Sequence, residues 1–478
     1  MSSDKSVTQL KSKCPVAIDL QGSNLPYRLE VEVADLMILG TVPPEIDGTF
    51  YRVMTDPFVP PHPNNIPLDG DGNISALRFR DGRVDFKMRY VETERFKIER
   101  NAGKAVFGLN RNPFTHHPCV RAAVDSTPIP TLSWDQVETF TAHPKIDSFT
   151  KELVVYGYEA KGLASTDIVI YPLDRHGQKK DEQWIKSPWC APIHDYIERM
   201  KKGGHHWAWN YDRSATFIVA PRRKRTKLPA GWKEGEFRVY HDQNEMLIHT
   251  AGAWESDDGS KPWLETTRVH ENAFPFFPAD SRRQPAPDAT AYLVRFTLNL
   301  TQPTDTKVAE TKIIPPFPAE FPRLDEHFLS KPYDVAWLNA MTPAEFHDPE
   351  PEGEGGVGLV WSDLDGVVQH RYSTGKTEYY YAGRGCGVQE PIFIPRLGDA
   401  PEGDGWVMFL VEIKLIDLCE LVILFTKPVA IVKLLFHIKA QVHGNWIDQR
   451  QFKDRKSLVR QGELETISGR GALETGDI

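Results

Sequence analysis

Long uncharged apolar runs are missing from this 478-residue chain. Its most apolar stretch, Trp406 to Ile438, is interrupted by Glu412, Lys414, Asp417, Glu420, Lys427 and Lys433. No segment reaches the roughly 18 uncharged residues that a spanning helix requires. The β-branched Val422, Ile423, Val429, Ile431 and Val432 read instead as part of two buried strands, which leaves peripheral contact with a membrane open but not a transmembrane helix. Cysteine is also scarce. Cys14, Cys119, Cys190, Cys386 and Cys419 are odd in number and form no C-x-x-C. That argues against a disulfide framework or a cysteine zinc site and predicts reduced thiols in a cytoplasmic protein. Met1 to Lys13 is polar and carries no apolar core of a secretory leader. Basic residues do not prevail: 57 Lys and Arg against 66 Asp and Glu leave a net charge of -9, so no basic face points to nucleic acid. There is no G-x-S-x-G elbow for a hydrolase, and no recurring Trp-Asp that would betray a blade repeat.

What the chain has is turns and short strands. Pro (37) and Gly (34) are plentiful and aromatics reach 11%, a mixture that favours many short strands over long helices. Strand patterns recur at Glu152 to Glu159, Asp167 to Tyr171, Thr216 to Ala220, Phe237 to Tyr240, Gly358 to Trp361 and Glu378 to Tyr381. From Tyr292 to Leu300, Val294, Phe296, Leu298 and Leu300 alternate with polar residues. Asp81-Gly82, Asp258-Gly259, Asp365-Gly366 and Asp404-Gly405 read as tight turns. Only Tyr196 to Lys202 reads as helix. The pattern predicts an all-β fold, a β-propeller or a large barrel: an N-terminal arm over residues 1–30, one domain over 31–449 and a polar tail over 450–478.

Histidine is the most informative residue type. Of the 16, His62, His116, His117, His176 and His347 lie in polar or Pro-rich loops, and His205 and His206 precede Trp207 in a structural setting. His143, His194, His270 and His443 each stand at the edge of a strand-like segment, but no helix or hairpin spacing joins them. Asp69-Gly70-Asp71-Gly72 fails as a calcium loop, since Arg80 occupies the twelfth position where a glutamate is needed. Gly383-x-Gly385-x-Gly387 is followed by no helix and makes a poor dinucleotide loop.

A set of motifs in fixed order says more. It begins with Asp47-Gly48-Thr49-Phe50-Tyr51-Arg52, Asp69-Gly70-Asp71-Gly72, Phe107-Gly108 and Arg111-Asn112-Pro113-Phe114. Ala142-His143-Pro144-Lys145-Ile146-Asp147, Gly203-Gly204 with His206-Trp207, and Glu320-Phe321-Pro322-Arg323 follow. Glu390-Pro391-Ile392-Phe393-Ile394-Pro395-Arg396, Ala400-Pro401-Glu402-Gly403-Asp404-Gly405 and His443-Gly444-Asn445-Trp446 complete it. From about Leu39 to Ile447 the chain resembles the carotenoid cleavage oxygenases, most of all their lignostilbene dioxygenase branch. The resemblance implies a seven-bladed β-propeller with a loop-built cap over an axial metal site. It implies four histidines on a non-haem Fe(2+), here His143, His194, His270 and His443. Glu320 and Glu390 would be the carboxylates that orient ligand rings. Imidazole suits Fe(II), and four nitrogen ligands leave two octahedral positions for O2. The implied activity is cleavage of a carbon–carbon double bond in a hydrophobic stilbenoid, phenylpropenoid or apocarotenoid to carbonyl products, a reaction of secondary metabolism.

The chain departs from the family's pattern in three places. Only Thr115 to Ala142 separate the Arg-Asn-Pro-Phe motif from His143, so a strand segment with a Lys-Glu pair is lost. That segment would hold a third orienting glutamate and a lysine that contacts a substrate phenol. Asn110 stands where the branch has the other phenol-binding residue, a tyrosine. After His194 comes a charged stretch in place of an inner strand. These losses imply one or two incomplete blades. The alternative reading is a catalytically impaired propeller that retains only metal or ligand binding.

Overall fold

The computed structural model describes residues 26–62, 69–109, 112, 140–162, 165–188, 193–204, 208–222, 228–270, 272, 290–346, 364–396, 400–450 and 458–459, apart from the side chains of residues 193–196 and 344. Antiparallel sheets dominate, arranged as the blades of a propeller. The first sheet has the order Val31–Val33, Arg83–Tyr90, Gly72–Arg80, Gly48–Thr55, His443–Asp448. The second runs Lys145–Ile146, Leu153–Gly157, Asp167–Leu173, Gln183–Lys186, and the third Thr216–Val219, Arg238–His241, Thr306–Lys307. The fourth runs Glu245–Glu255, Pro262–His270, Tyr292–Thr297, Glu310–Ile313. The fifth runs Ala319–Leu324, Val335–Ala340, Gly366–Arg371, Lys376–Tyr381. The sixth runs Ile38–Gly40, Pro428–Lys433, Leu418–Leu424, Gly405–Ile413, with Cys386–Val388 and Ile392–Pro395 both on the last of these. Six sheets thus stand among the described residues. Residues 113–139 and 347–363 and most of 271–289 lie outside them, as does the Gly358 to Trp361 strand pattern.

Local chemistry explains these strands. In Arg83–Tyr90, Val84, Phe86, Met88 and Tyr90 are buried while the residues between them face outward, the period of two that a half-buried strand demands. Asp81 and Gly82 join it to Gly72–Arg80 with φ values of 52° and 75°, the two positive angles of the primed turn that matches strand twist. Asp365-Gly366 and Asp404-Gly405 are not hairpin turns. Gly405 opens a strand so close to its neighbour that a Cβ would lie 2.2 Å from the Ile394 carbonyl oxygen. Trp406 to Ile438 yields three strands, not two, because Gly405–Ile413 is itself almost wholly buried between its neighbours.

Two α-helices are described. Glu94–Ala102, which no apolar period announces, is capped by Thr93 accepting from the Phe96 N–H and closed by Gly103 at φ 63°. Ile193–Lys201 begins three residues earlier than the sequence suggested and therefore carries His194. Neither is long and apolar enough to cross a membrane. The first sheet joins strands from early and late in the described chain. His443–Asp448 pairs with Gly48–Thr55, His443 facing Val53 and Asp448 facing Gly48. Beneath them Phe50, Leu77, Phe79 and Phe86 pack with Met408, Leu410, Leu421 and Ile423 into a core shared by the first and last sheets. The inner strands of consecutive sheets touch in order: Glu245–Glu255, Ala319–Leu324, Ile392–Pro395, His443–Asp448.

Candidate metal centre

Inner strands set the side chains of the axis. His443 opens its strand, and its Nδ1–H points at Glu390 Oε1, 3.2 Å away. Glu390 is buried and also accepts from the Gly444 N–H at 2.8 Å and from Arg323 at 3.4 Å. His249 lies within Glu245–Glu255, where two register irregularities, between Leu247 and Thr250 and between Thr250 and Ala253, break the alternation. They bring His249, Thr250 and Ala251 all to one cavity. His249 Nδ1 is 2.5 Å from Glu320 Oε2, and the Thr267 hydroxyl donates to the other oxygen of the same carboxylate. His143 sits in a bend before the two-residue strand Lys145–Ile146, its backbone N–H bonded to Thr141 Oγ1 at 3.0 Å.

The three rings meet. One ring nitrogen from each of His143, His249 and His443 lies within 4.8 Å of the others, and the Nε2 atoms of His143 and His443 are 2.6 Å apart. The rings stand edge to face, with interplanar angles of 76°, 64° and 90°. Glu320 and Glu390 fix the tautomers: a proton on Nδ1 of His249 and of His443 leaves each Nε2 with a lone pair. Lone pairs from converging imidazoles repel one another unless a proton or a cation sits among them, so this donor set fits a borderline divalent metal. The electrostatics agree. Burial, then the neighbouring His443, His249 and Lys145, push the His143 pKa down to about 4, which keeps the ring neutral. Burial alone would raise Glu390, but Arg323, His443 and the Gly444 N–H outweigh it and hold the carboxyl down to about 2. Beside the cluster is a cavity of roughly 200 Å³, walled by Ile146, Leu153, Leu324, Leu329 and Trp446, with Lys145, Arg323 and Glu326 among its polar residues.

Of the four histidines singled out in the sequence, His143 and His443 are brought together. His270 is not with them. It is exposed at the end of Pro262–His270, opposite Glu245, with Nδ1 3.3 Å from Gln243 and Nε2 3.2 Å from Arg268. It stands three residues, about 10 Å of strand, beyond the Thr267 that touches His249. His249 takes the place at the axis that His270 was expected to fill. The sequence reading passed over it, and the signal available was a lone polar ring inside the apolar run Met246-Leu247-Ile248-His249-Thr250-Ala251. The His194 side chain and Asn110 lie outside the described residues. Among those residues no carboxylate hydrogen-bonds to His143.

Comparison with known proteins follows the same line. The profile of the family described as retinal pigment epithelial membrane protein matches residues 24–129, 122–198 and 196–448. Resveratrol cleavage oxygenase 1 of Botryotinia fuckeliana is 52% identical over 520 residues, covering 97% of this chain and 92% of that protein. Lignostilbene-alpha,beta-dioxygenase isozyme III of Sphingomonas paucimobilis is 30% identical, covering 91% and 98%. The crystal structure of Pseudomonas brassicacearum lignostilbene dioxygenase superimposes with a TM-score of 0.77 at 29% identity, covering 91% of this chain and 99% of that one.

Proposed function

This chain belongs to the retinal pigment epithelial membrane protein/carotenoid cleavage oxygenase family, and on that premise we propose that it is a non-haem Fe(2+)-dependent dioxygenase that cleaves the central double bond of a stilbenoid. Residues 31–449 form its catalytic unit. His143, His194, His249 and His443 hold the metal, and Glu320 and Glu390 orient His249 and His443. The observation that carries the reading is the convergence of three ring nitrogens within 4.8 Å, two of the rings backed by buried carboxylates. The 52% identity to a resveratrol cleavage oxygenase supports a hydroxylated stilbene as substrate.

Bound Fe(2+) supplies the activation of O2 that an organic side chain cannot. The protein's own residues prepare that step. Glu390 and Glu320 hold the Nδ1 protons, so that each ring presents its lone pair without having to shed a proton first. Burial keeps His143 neutral and able to bind metal at the pH of a cell. Leu324 and Leu329, both buried, exclude water from the side of the cluster, which favours a planar apolar alkene over solvent.

The test is anaerobic reconstitution with Fe(2+), metal analysis, then exposure to O2 with resveratrol and a panel of stilbenes and apocarotenoids. Retained iron and aldehydes from the central bond of resveratrol are the expected result. Retained iron with no cleavage of any panel member would leave the metal-binding, catalytically impaired propeller. A chain that retains no iron would sink both readings.

A further inference from the structure

Glu320 does not act on His249 alone. In the fifth sheet, Glu320 faces Asn339 but Arg323 faces Trp337, so three steps on one strand oppose two on its partner. This bulge has Phe321 at its centre, at φ 51°. Bulky L-residues rarely adopt that left-handed conformation, because Cβ crowds the following carbonyl. The Phe321 ring is buried, and it stacks on the His249 imidazole with centroids 4.6 Å apart and planes 28° from parallel. The Phe321 N–H donates to Glu320 Oε2, the oxygen that also accepts from His249 Nδ1.

In a regular strand, residues 320 and 321 would point to opposite faces. The bulge lets both reach one imidazole, the carboxylate at its edge and the phenyl on its face. The two contacts fix different freedoms. A hydrogen bond to Nδ1 sets the direction of the N–H vector but leaves the ring able to roll about it. A flat surface on the ring's face removes the roll. His143 and His443 meet the same imidazole edge to face, at centroid distances of 5.6 Å and 5.0 Å, and offer it no parallel support.

We propose that Phe321 is a positioning residue of the metal centre: held in the bulge by a left-handed backbone, its ring sets the plane of His249 and so the direction of the Nε2 lone pair. This rests on the reading that His249 binds the metal. The left-handed backbone is the reason a large residue here is informative, since glycine would satisfy the bulge without strain and a packing role alone would not require a planar side chain parallel to the imidazole.

Phe321→Tyr, Phe321→Leu and Phe321→Gly separate the possibilities. Each is loaded with cobalt(II), metal release to a chelator is timed, the visible cobalt bands are recorded, and metal-free thermal midpoints are compared. Tyrosine keeps the flat face and is expected to retain metal as phenylalanine does. Leucine, which keeps the bulk, and glycine, which keeps the backbone, are expected to release it about tenfold faster, the lower end for an outer-shell partner of a metal ligand, with shifted cobalt bands. If glycine prevents folding, leucine decides the matter. Wild-type release and unaltered cobalt bands in the leucine variant would reduce Phe321 to core filling and overturn the proposal. Failure of the wild-type chain to take up cobalt would instead overturn the metal-centre reading beneath it.

Discussion

The two sides of the candidate centre are built differently. His249 and His443 sit on inner strands of 11 and 6 residues, and each has a buried carboxylate on its outer nitrogen. His143 precedes a strand of 2 residues, and among the described residues no carboxylate hydrogen-bonds to its ring. The supported pair is oriented by the protein before any metal arrives. His143 is kept neutral by burial and by the nearby His443, His249 and Lys145, and its ring contacts those of His443 and His249. The cluster is thus asymmetric, with two rings oriented by carboxylates and the third held by burial and ring contacts alone.

That contrast can be broken by substitution. His249→Ala or His443→Ala is expected to abolish metal retention and lower cleavage by more than about 100-fold, beyond the range for outer-shell partners, whereas His270→Ala should leave iron content and turnover unaltered. Loss of activity in the His270 variant with a normal His249 variant would reverse the assignment. Glu320→Gln and Glu390→Gln come next, each weakening metal retention by roughly 10–100-fold. Equilibrium metal affinities with intact circular dichroism would check this, and unchanged affinity in both would make the two carboxylates ordinary buried acids.

Acid separates the same two sides without changing the ligand set. In metal-free protein, burial, then the neighbouring His443, His249 and Lys145, push His143 from 6.5 down to about 4. Below 6.5 the unfolded chain takes up a proton that the folded ring refuses, so this contribution to stability is complete above pH 6.5 and is lost as pH falls through about 4. Glu390 is held down from 4.5 to about 2 because Arg323, His443 and the Gly444 N–H outweigh its burial. Its contribution, on the order of 3 kcal/mol, is complete above 4.5 and is lost as pH falls through about 2. The metal-free thermal midpoint should therefore decline in two acid steps, the upper one absent from His143→Gln and the lower one from Glu390→Gln. A single step, removed equally by either variant, would mean the two sides titrate as one unit.

The smallest effect concerns substrate. The family resemblance sets Asn110 where relatives carry a phenol-binding tyrosine and implies a lost lysine segment; on that expectation a phenol entering the site would be weakly paired, and an unpaired buried hydroxyl costs ~1–3 kcal/mol. A 4-hydroxystilbene should be preferred over its 4-methoxy analogue by no more than about tenfold in kcat/KM. A preference of a hundredfold, about 2.7 kcal/mol, would show that another residue has taken over the phenol.

Much of this was legible in the sequence where local chemistry decides. Alternation gave Tyr292–Thr297 and its buried Val294 and Phe296, and ordered motifs pointed to Glu320 and Glu390. What escaped depended on irregular pairing. His249 escaped because two register breaks, invisible in the residue string, turn consecutive residues toward one cavity, while His270 at a clean strand end looked the better candidate. Gly366 and Gly405 looked like turns because a glycine demanded by close backbone approach has the same letter as one demanded by positive φ. The helix at Glu94–Ala102 escaped because its stability rests on caps, with only Phe96 and Glu99 buried.

The joining of early and late strands in the first sheet has a consequence for biosynthesis. Thr49 and Gln449, 400 residues apart, meet by a hydrogen bond at the seam, and His443 arrives on the strand that seals it. The strand that carries His443 is synthesised after every other described strand, so the early blades wait with one edge open until it emerges, and the three-histidine cluster cannot come together before then. A chain cut short before His443 would keep an unsealed edge and lack one ring of the cluster, and that open edge would be prone to pair with another unfinished copy.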